Sequence, residues 1–172
     1  MKLRFHNTGK SAAVFHVRSM LNCGPWTYTV SPDAHLFDTL SVSTHERSAY
    51  DLSAYGPNGF LRTFKGSVGN KGDANLAVQS AYELRFGPGI TLDIHNRGED
   101  ATTVHIAESY TKQGLTHTLE PGQSLTWHWP FEASFGWYDL TITVDSDATF
   151  ERRLAGHVET GNDSVSDPAL GA

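Results

Sequence analysis

Leu3-Arg4-Phe5-His6-Asn7-Thr8-Gly9 and Leu92-Asp93-Ile94-His95-Asn96-Arg97-Gly98 share four of seven residues at an offset of 89. The same offset carries Ala12, His16 and Val17 onto Ala101, His105 and Ile106. It also carries Thr27, Thr29, Val30 and Pro32 onto Thr116, Thr118, Leu119 and Pro121. With shifts of one residue, Tyr50-Asp51-Leu52 answers to Tyr138-Asp139-Leu140, and Phe60-x-Arg62-x-Phe64-x-Gly66 to Phe150-x-Arg152-x-Leu154-x-Gly156. Pieces matching in one order along the chain mean an internal duplication. The unit is about 70–90 residues long, the size of a small β-sandwich.

The apolar period within each unit is two. Tyr138, Leu140, Ile142 and Val144 alternate with Asp139, Thr141 and Thr143; Tyr50, Leu52 and Ala54 alternate with Asp51 and Ser53. Such alternation is the mark of antiparallel strands with one buried face. Turn residues punctuate it at Asn7-Thr8-Gly9, Ser31-Pro32-Asp33, Gly56-Pro57-Asn58-Gly59, Asn96-Arg97-Gly98 and Glu120-Pro121-Gly122. No segment has a helical stripe. The expected fold is all-β: two tandem immunoglobulin- or fibronectin-III-like antiparallel β-sandwiches. The second unit is predicted to hold seven strands, near 76–84, 90–95, 102–109, 115–119, 123–129, 136–144 and 149–157. The first holds six: the counterpart of 76–84 would lie before residue 1, or the first sandwich lacks that edge strand. The predicted organisation is a first sandwich over 1–67, a linker over 68–75, a second sandwich over 76–159 and a flexible tail over 160–172.

Composition narrows the function classes. Apolar residues are 38% of the 172 and charged residues 19%, enough for a buried core. The net charge is -6 with only 13 scattered Lys and Arg, which argues against a nucleic-acid partner. No apolar run approaches the roughly 20 residues of a membrane-spanning helix, and Met1-Lys2 leads straight into a strand pattern rather than a secretory signal. The lone Cys23 forms no internal disulfide and reads as a small, partly buried apolar residue.

Signatures of catalysis are missing: there is no G-x-S-x-G, no C-x-x-C, no H-E-x-x-H and no phosphate loop. No catalytic, cofactor-binding or metal-ligating residue is assigned. Among nine histidines, His6/His95 and His16/His105 recur at equivalent positions, as structural residues do, and His117 and His128 lack partners at ligand spacing. Asp51 and Asp139 read as cross-strand pairing or strand-edge solvating residues, and Arg62 and Arg152 as covers for the sandwich or partners of acidic neighbours. One segment departs from the repeat: Trp127-His128-Trp129-Pro130-Phe131-Glu132-Ala133-Ser134-Phe135-Gly136-Trp137-Tyr138 holds six aromatic rings of Phe, Tyr and Trp type. Leu125, Trp127 and Trp129 alternate as core residues would. Alternatively Phe131, Phe135 and Trp137 sit on a loop that touches a membrane interface, a sugar or a neighbouring domain. Trp127, Trp129, Phe131, Phe135 and Trp137 are therefore the candidate lipid or interdomain contacts.

The run Tyr50-Asp51-Leu52-Ser53-Ala54-Tyr55-Gly56-Pro57-Asn58-Gly59-Phe60-Leu61-Arg62, followed by Phe64-Lys65-Gly66, resembles the repeated C-terminal domain of bacterial phosphocholine-specific phospholipases C, hemolytic and non-hemolytic. So do LRFHNTG, Ala12-Ala13-Val14-Phe15 and the terminal phrase from Gly156 to Ala172. The resemblance implies a secreted or periplasmic parent enzyme that hydrolyses phosphatidylcholine or sphingomyelin to phosphocholine, its catalytic machinery in an N-terminal domain outside this sequence. On that reading the chain is a non-catalytic accessory region needing no cofactor, whose partner is its own catalytic domain. The alternative is a module that targets a phosphatidylcholine membrane or host surface through residues 127–138.

Overall fold

The alternating segments form strands, and the Gly, Pro and Asn clusters form the bends between them. The structure, a computed structural model, describes residues 1–21, 24–41, 49–69, 72–83, 89–159, 161 and 163–171. Cys23 lies outside the described residues. In chain order the strands are β1 (Lys2–Asn7), β2 (Ala13–Ser19), β3 (Trp26–Val30), β4 (Ala34–Thr39), β5 (Tyr50–Tyr55), β6 (Leu61–Gly66), β7 (Leu76–Glu83), β8 (Gly89–Asn96), β9 (Thr102–Glu108), β10 (Gly114–Leu119), β11 (Ser124–Pro130), β12 (Trp137–Val144) and β13 (Glu151–His157). A 3-10 turn spans Glu132–Ser134 and another Pro168–Gly171. The seven strands of the second unit fall within about two residues of the sequence expectation.

In the second unit β11-β8-β7 face β10-β9-β12-β13, all antiparallel. Between the layers lies a core of Ile90, Leu92, Ile94, Val104, Ile106, Leu119, Leu140 and Ile142 with the Trp129, Phe131, Tyr138 and Phe150 rings. In the first unit β1-β4 face β3-β2-β5-β6, around Phe5, Phe15, Val17, Tyr28, Val30, Leu40, Leu52 and Ala54. Each repeat thus has its own core. The strand equivalences run β1 with β8 through β6 with β13, and β7 has no counterpart among the described strands of the first unit.

The two sandwiches are not beads on a linker. β6 pairs antiparallel with β13, so both units share one eight-stranded sheet in the order β10-β9-β12-β13-β6-β5-β2-β3. The register is self-complementary. Thr63 pairs with its own repeat equivalent, Arg153, while Arg62 pairs with Leu154 and Phe64 with Arg152. Equivalent strands paired this way generate a local two-fold axis through Thr63 and Arg153, as in an isologous dimer. Lys65 and Glu151 form an ion pair across the seam at 2.9 Å, half-exposed and worth only a few tenths of a kcal/mol.

The duplicated His-Asn pair closes each unit in the same manner. Asn7 Nδ2 donates to the Ser11 and Val30 carbonyls at 2.8 and 3.0 Å, and its Oδ1 accepts from the Gly9 amide at 2.9 Å. Asn96 repeats the set with Asp100, Leu119 and Gly98 at 2.9, 3.0 and 2.9 Å. One buried amide therefore shapes the turn after its own strand and ties it to a strand 23 residues later. Asn96→Ala deletes the donor and leaves buried carbonyls unpaired, an expected loss of about 2 kcal/mol. Denaturant unfolding checks this, and Asn96→Asp, which keeps the acceptor but not the donor, should recover less than half of it.

The connection between the units is also anchored. Asp147, in the turn between β12 and β13, accepts from the Ala74 amide at 3.0 Å and from the Thr149 amide and hydroxyl at 2.9 and 2.6 Å. Burial works to raise the Asp147 pKa, but these bonds outweigh it and hold the carboxyl below its ordinary 3.8. A depressed carboxylate stabilises the fold above the unfolded-state value, and that stabilisation is lost as pH falls through the folded-state value. Asp147→Asn is therefore expected to lower the urea midpoint at pH 6, with the gap to wild type narrowing below pH ~4. A gap constant from pH 6 to 3 would contradict the role assigned to the ionised carboxylate. Residues 163–169, within the expected flexible tail, are largely exposed and meet the second unit at two points: Trp137 Nε1 donates to the Val165 carbonyl at 3.0 Å and the Tyr110 hydroxyl to Asp167 at 2.8 Å.

Candidate functional site

The aromatic segment is divided between core and surface. β11 pairs with β8 so that Leu125, Trp127 and Trp129 stand opposite Ile94, Leu92 and Ile90, on the core face. Trp129 is 4% exposed, whereas Trp127, on an edge strand, is 43% exposed. The 3-10 turn then separates two phenylalanines. Phe131 enters the core and is 1% exposed, its ring stacked on Tyr138 at 4.9 Å and 11°. Phe135 takes a left-handed conformation, φ 55°, at the end of that turn and is 62% exposed. Trp137 is half-buried, packed on His157 with ring centroids 4.8 Å apart and bonded to Val165. The placement of Phe131 on a contact loop is therefore corrected: a ring with no exposed surface touches neither lipid nor a partner, and Trp129 is a core residue too. Trp127, Phe135 and Trp137 keep some exposure; Trp127 lies on the edge strand β11, while Phe135 and Trp137 both meet His157.

Several of the described histidines make local structural contacts. His16 and His105 lie on the outer face and meet Thr27 and Thr116 through Nδ1 at 3.2 and 3.1 Å; His105 also meets Asp145 at 2.6 Å. His95 meets Ser124 at 2.8 Å, while His6 stacks on His35 at 3.9 Å. The described residues contain no group of three or more His, Cys, Asp or Glu able to hold a metal. Asp139 forms a two-point ion pair with Arg153, at 2.8 and 2.7 Å, the cross-strand pairing expected of it.

The repeat junction holds what the sequence reading missed. Arg62 Nη1 donates to the Tyr138 hydroxyl at 3.0 Å and to the Ala155 carbonyl at 3.1 Å, both in the other repeat. Arg152 reciprocates, Nη2 to the Tyr50 hydroxyl at 2.6 Å and Nη1 to the Lys65 carbonyl at 2.7 Å. Each guanidinium also lies over the phenylalanine two residues before it, 4.4 Å from the Phe60 centroid and 4.2 Å from that of Phe150. Glycines make room for the tyrosines. A Cβ on Gly66 would sit 2.6 Å from the Tyr50 hydroxyl, and one on Gly156 2.9 Å from that of Tyr138. The only sequence signal was the duplicated Tyr, Arg and Gly. Among the described residues these arginines pair with no acidic side chain, and besides Arg62 the Tyr138 hydroxyl meets that of Tyr82 at 2.7 Å. Burial pushes that hydroxyl's pKa well above its usual value, against the opposing pull of Arg62.

Opposite this seam the other layer is open. β1 and β7 each pair on one side only, with β4 and β8, and no ladder joins them. Between them runs a cleft of about 540 Å³, floored by Arg62, Phe64, Arg152 and Leu154 and walled by Arg4 and Val78. A second hollow of about 640 Å³ continues it toward Met1.

Comparison with known proteins supplies the lineage. The family model described as "Bacterial phospholipase C, C-terminal domain" matches residues 1–67 and again residues 76–157, one match for each repeat. The chain belongs to this family. The bacterial phospholipase C C-terminal domains here are 40% identical over 173 residues to a non-hemolytic phospholipase C of Burkholderia pseudomallei, covering 98% of this chain and 24% of that protein. They are 35% identical over 190 residues to a hemolytic phospholipase C of Pseudomonas aeruginosa, and 32% over 179 residues to a non-hemolytic one. Each of those alignments covers 99% of this chain and 25% of the relative. The chain thus spans about a quarter of the length of these relatives. Among the described residues, no helix is long and apolar enough to cross a membrane.

Proposed function

We propose that this chain is the non-catalytic C-terminal region of a secreted phospholipase C acting on phosphatidylcholine or sphingomyelin, and that it docks on and supports the catalytic domain of the same polypeptide. The observation that carries this reading is where apolar surface is left exposed. Val14 and Tyr55 are exposed on neighbouring strands of the outer face of the eight-stranded sheet rather than at loop tips, as expected of a surface made to be covered by another domain. The family match is to a C-terminal domain that makes up about a quarter of its phospholipase C relatives, and on this reading hydrolysis belongs to the part of the parent outside this chain.

The test is association in trans. The separately produced catalytic portion of the parent is expected to bind this chain in sedimentation and to melt several degrees higher in its presence. Val14→Ala/Tyr55→Ala should weaken that complex about tenfold or more. No complex, with the melting of the catalytic portion unchanged, would remove the docking function. The membrane reading keeps one feature in its favour, the exposed Phe135, while the burial of Phe131 counts against it. This chain is therefore expected not to sediment with phosphatidylcholine or sphingomyelin vesicles. Binding that Phe135→Ala abolishes would reverse the preference.

A further inference from the structure

The open layer and the local two-fold axis belong together. Around the axis at Thr63 and Arg153, β8 is the mate of β1 and β11 the mate of β4. β7 lies beside β8 on the axis side, in the layer β11-β8-β7, and its own mate would lie beside β1. That position is the cleft between β1 and β7. The family match to the second repeat, residues 76–157, begins with β7. We propose that the cleft seats one further extended strand, supplied by the residues immediately upstream of Met1 in the full-length polypeptide. It would pair antiparallel with β1 as β7 does with β8, and by the two-fold it would also run antiparallel to β7. The upper layer would then be continuous, in the order β11-β8-β7-new strand-β1-β4.

Three features fit this occupant. The edges of β1 and β7 present unpaired backbone donors and acceptors on both walls, which a strand satisfies and a globular partner does not. The floor is apolar and ringed by guanidiniums, with Phe64 and Leu154 between Arg62 and Arg152. Finally, the second repeat shows what the missing strand would contribute. Tyr82 on β7, opposite Ile90, turns inward and brings its hydroxyl to Tyr138 and to Arg62, at 2.7 and 3.4 Å. In the first repeat Arg152 holds the Tyr50 hydroxyl, and no equivalent of Tyr82 completes the group among the described residues. The residue of the new strand opposite Met1 is placed to do so. This inference rests on the chain being the C-terminal part of a longer polypeptide and is separate from docking on the catalytic domain.

Hydrogen exchange on three polypeptides tests it: this chain, the same chain extended by about 20 upstream residues, and the full-length parent. Peptides covering residues 1–9 and 74–83 should exchange at least about tenfold more slowly in the extended chain and in the parent than in this chain. Equal rates in all three would overturn the proposal. Protection in the parent but not in the extended chain would also overturn it, assigning the cover to the catalytic domain. Protection already present in this chain, and growing with its concentration as it dimerises, would assign the cleft to a second copy and overturn it likewise. Protection in the extended chain supports the strand even where the catalytic portion fails to bind in trans, so the two readings fail separately.

Discussion

Tyr138→Ala is expected to cost about 3–5 kcal/mol of unfolding free energy, while Tyr138→Phe should cost about 1. The ring is fully buried in β12, between β9 and β13, and stacks on the equally buried Phe131. Its removal leaves a cavity that rigid strands on both sides cannot close, so transfer and cavity costs add. The hydroxyl sits at the seam, bonded to Arg62 and Tyr82. The phenylalanine variant keeps the packing and loses only those bonds, with Arg62 still satisfied by the Leu61 and Ala155 carbonyls. Urea unfolding followed by circular dichroism separates the two outcomes. Variants of equal cost would mean that the ring is not the wedge of the second core.

Arg62→Ala/Arg152→Ala is expected to uncouple the repeats. Each guanidinium bonds a carbonyl of its own strand, a carbonyl of the opposite strand and a tyrosine hydroxyl of the opposite repeat. Hydrogen bonds to a charged group contribute about 1.5–3 kcal/mol each in buried settings and less where solvent reaches. Both arginines are partly buried, so each single alanine variant should cost about 2 kcal/mol. The remaining seam would then be the five-residue β6–β13 ladder and the exposed Lys65–Glu151 pair. Wild type is expected to unfold in one transition and the double variant in two. Trp26 reports the first repeat, and Trp127, Trp129 and Trp137 the second. Lysine at both positions should restore little, because an ammonium lacks the planar fork that reaches two acceptors at once. A single transition with an unshifted midpoint in the double alanine variant would mean that the backbone ladder alone unites the repeats.

Strand positions were legible because the side-chain period of a strand is local: Tyr138, Leu140, Ile142 and Val144 announce a buried face without reference to anything else in the chain. The roles of Asn7 and Asn96 were partly legible, since an Asx-shaped turn is local, but their bonds to the distant Val30 and Leu119 carbonyls were not. The aromatic segment exceeded what composition could resolve. Phe131 and Phe135 are four residues apart and equally apolar, yet one is buried and the other exposed. The difference comes from a single 3-10 turn and one left-handed residue, whose cost only the surrounding packing decides.

The sequence by itself determined the duplication, the all-β class, the strand positions of the second repeat and the lineage that the family match later showed. All of these are written in short-range periodicity or in residue-by-residue self-similarity. Only the tertiary structure decided that β6 and β13 join the repeats into one sheet, that Arg62 and Arg152 reach across to the other repeat's tyrosine, and that β1 and β7 face each other with free edges. The physical reason is that edge pairing is made by backbone amides and carbonyls, which every residue but proline carries alike. Which edges meet is therefore settled by how two finished sandwiches fit together in space.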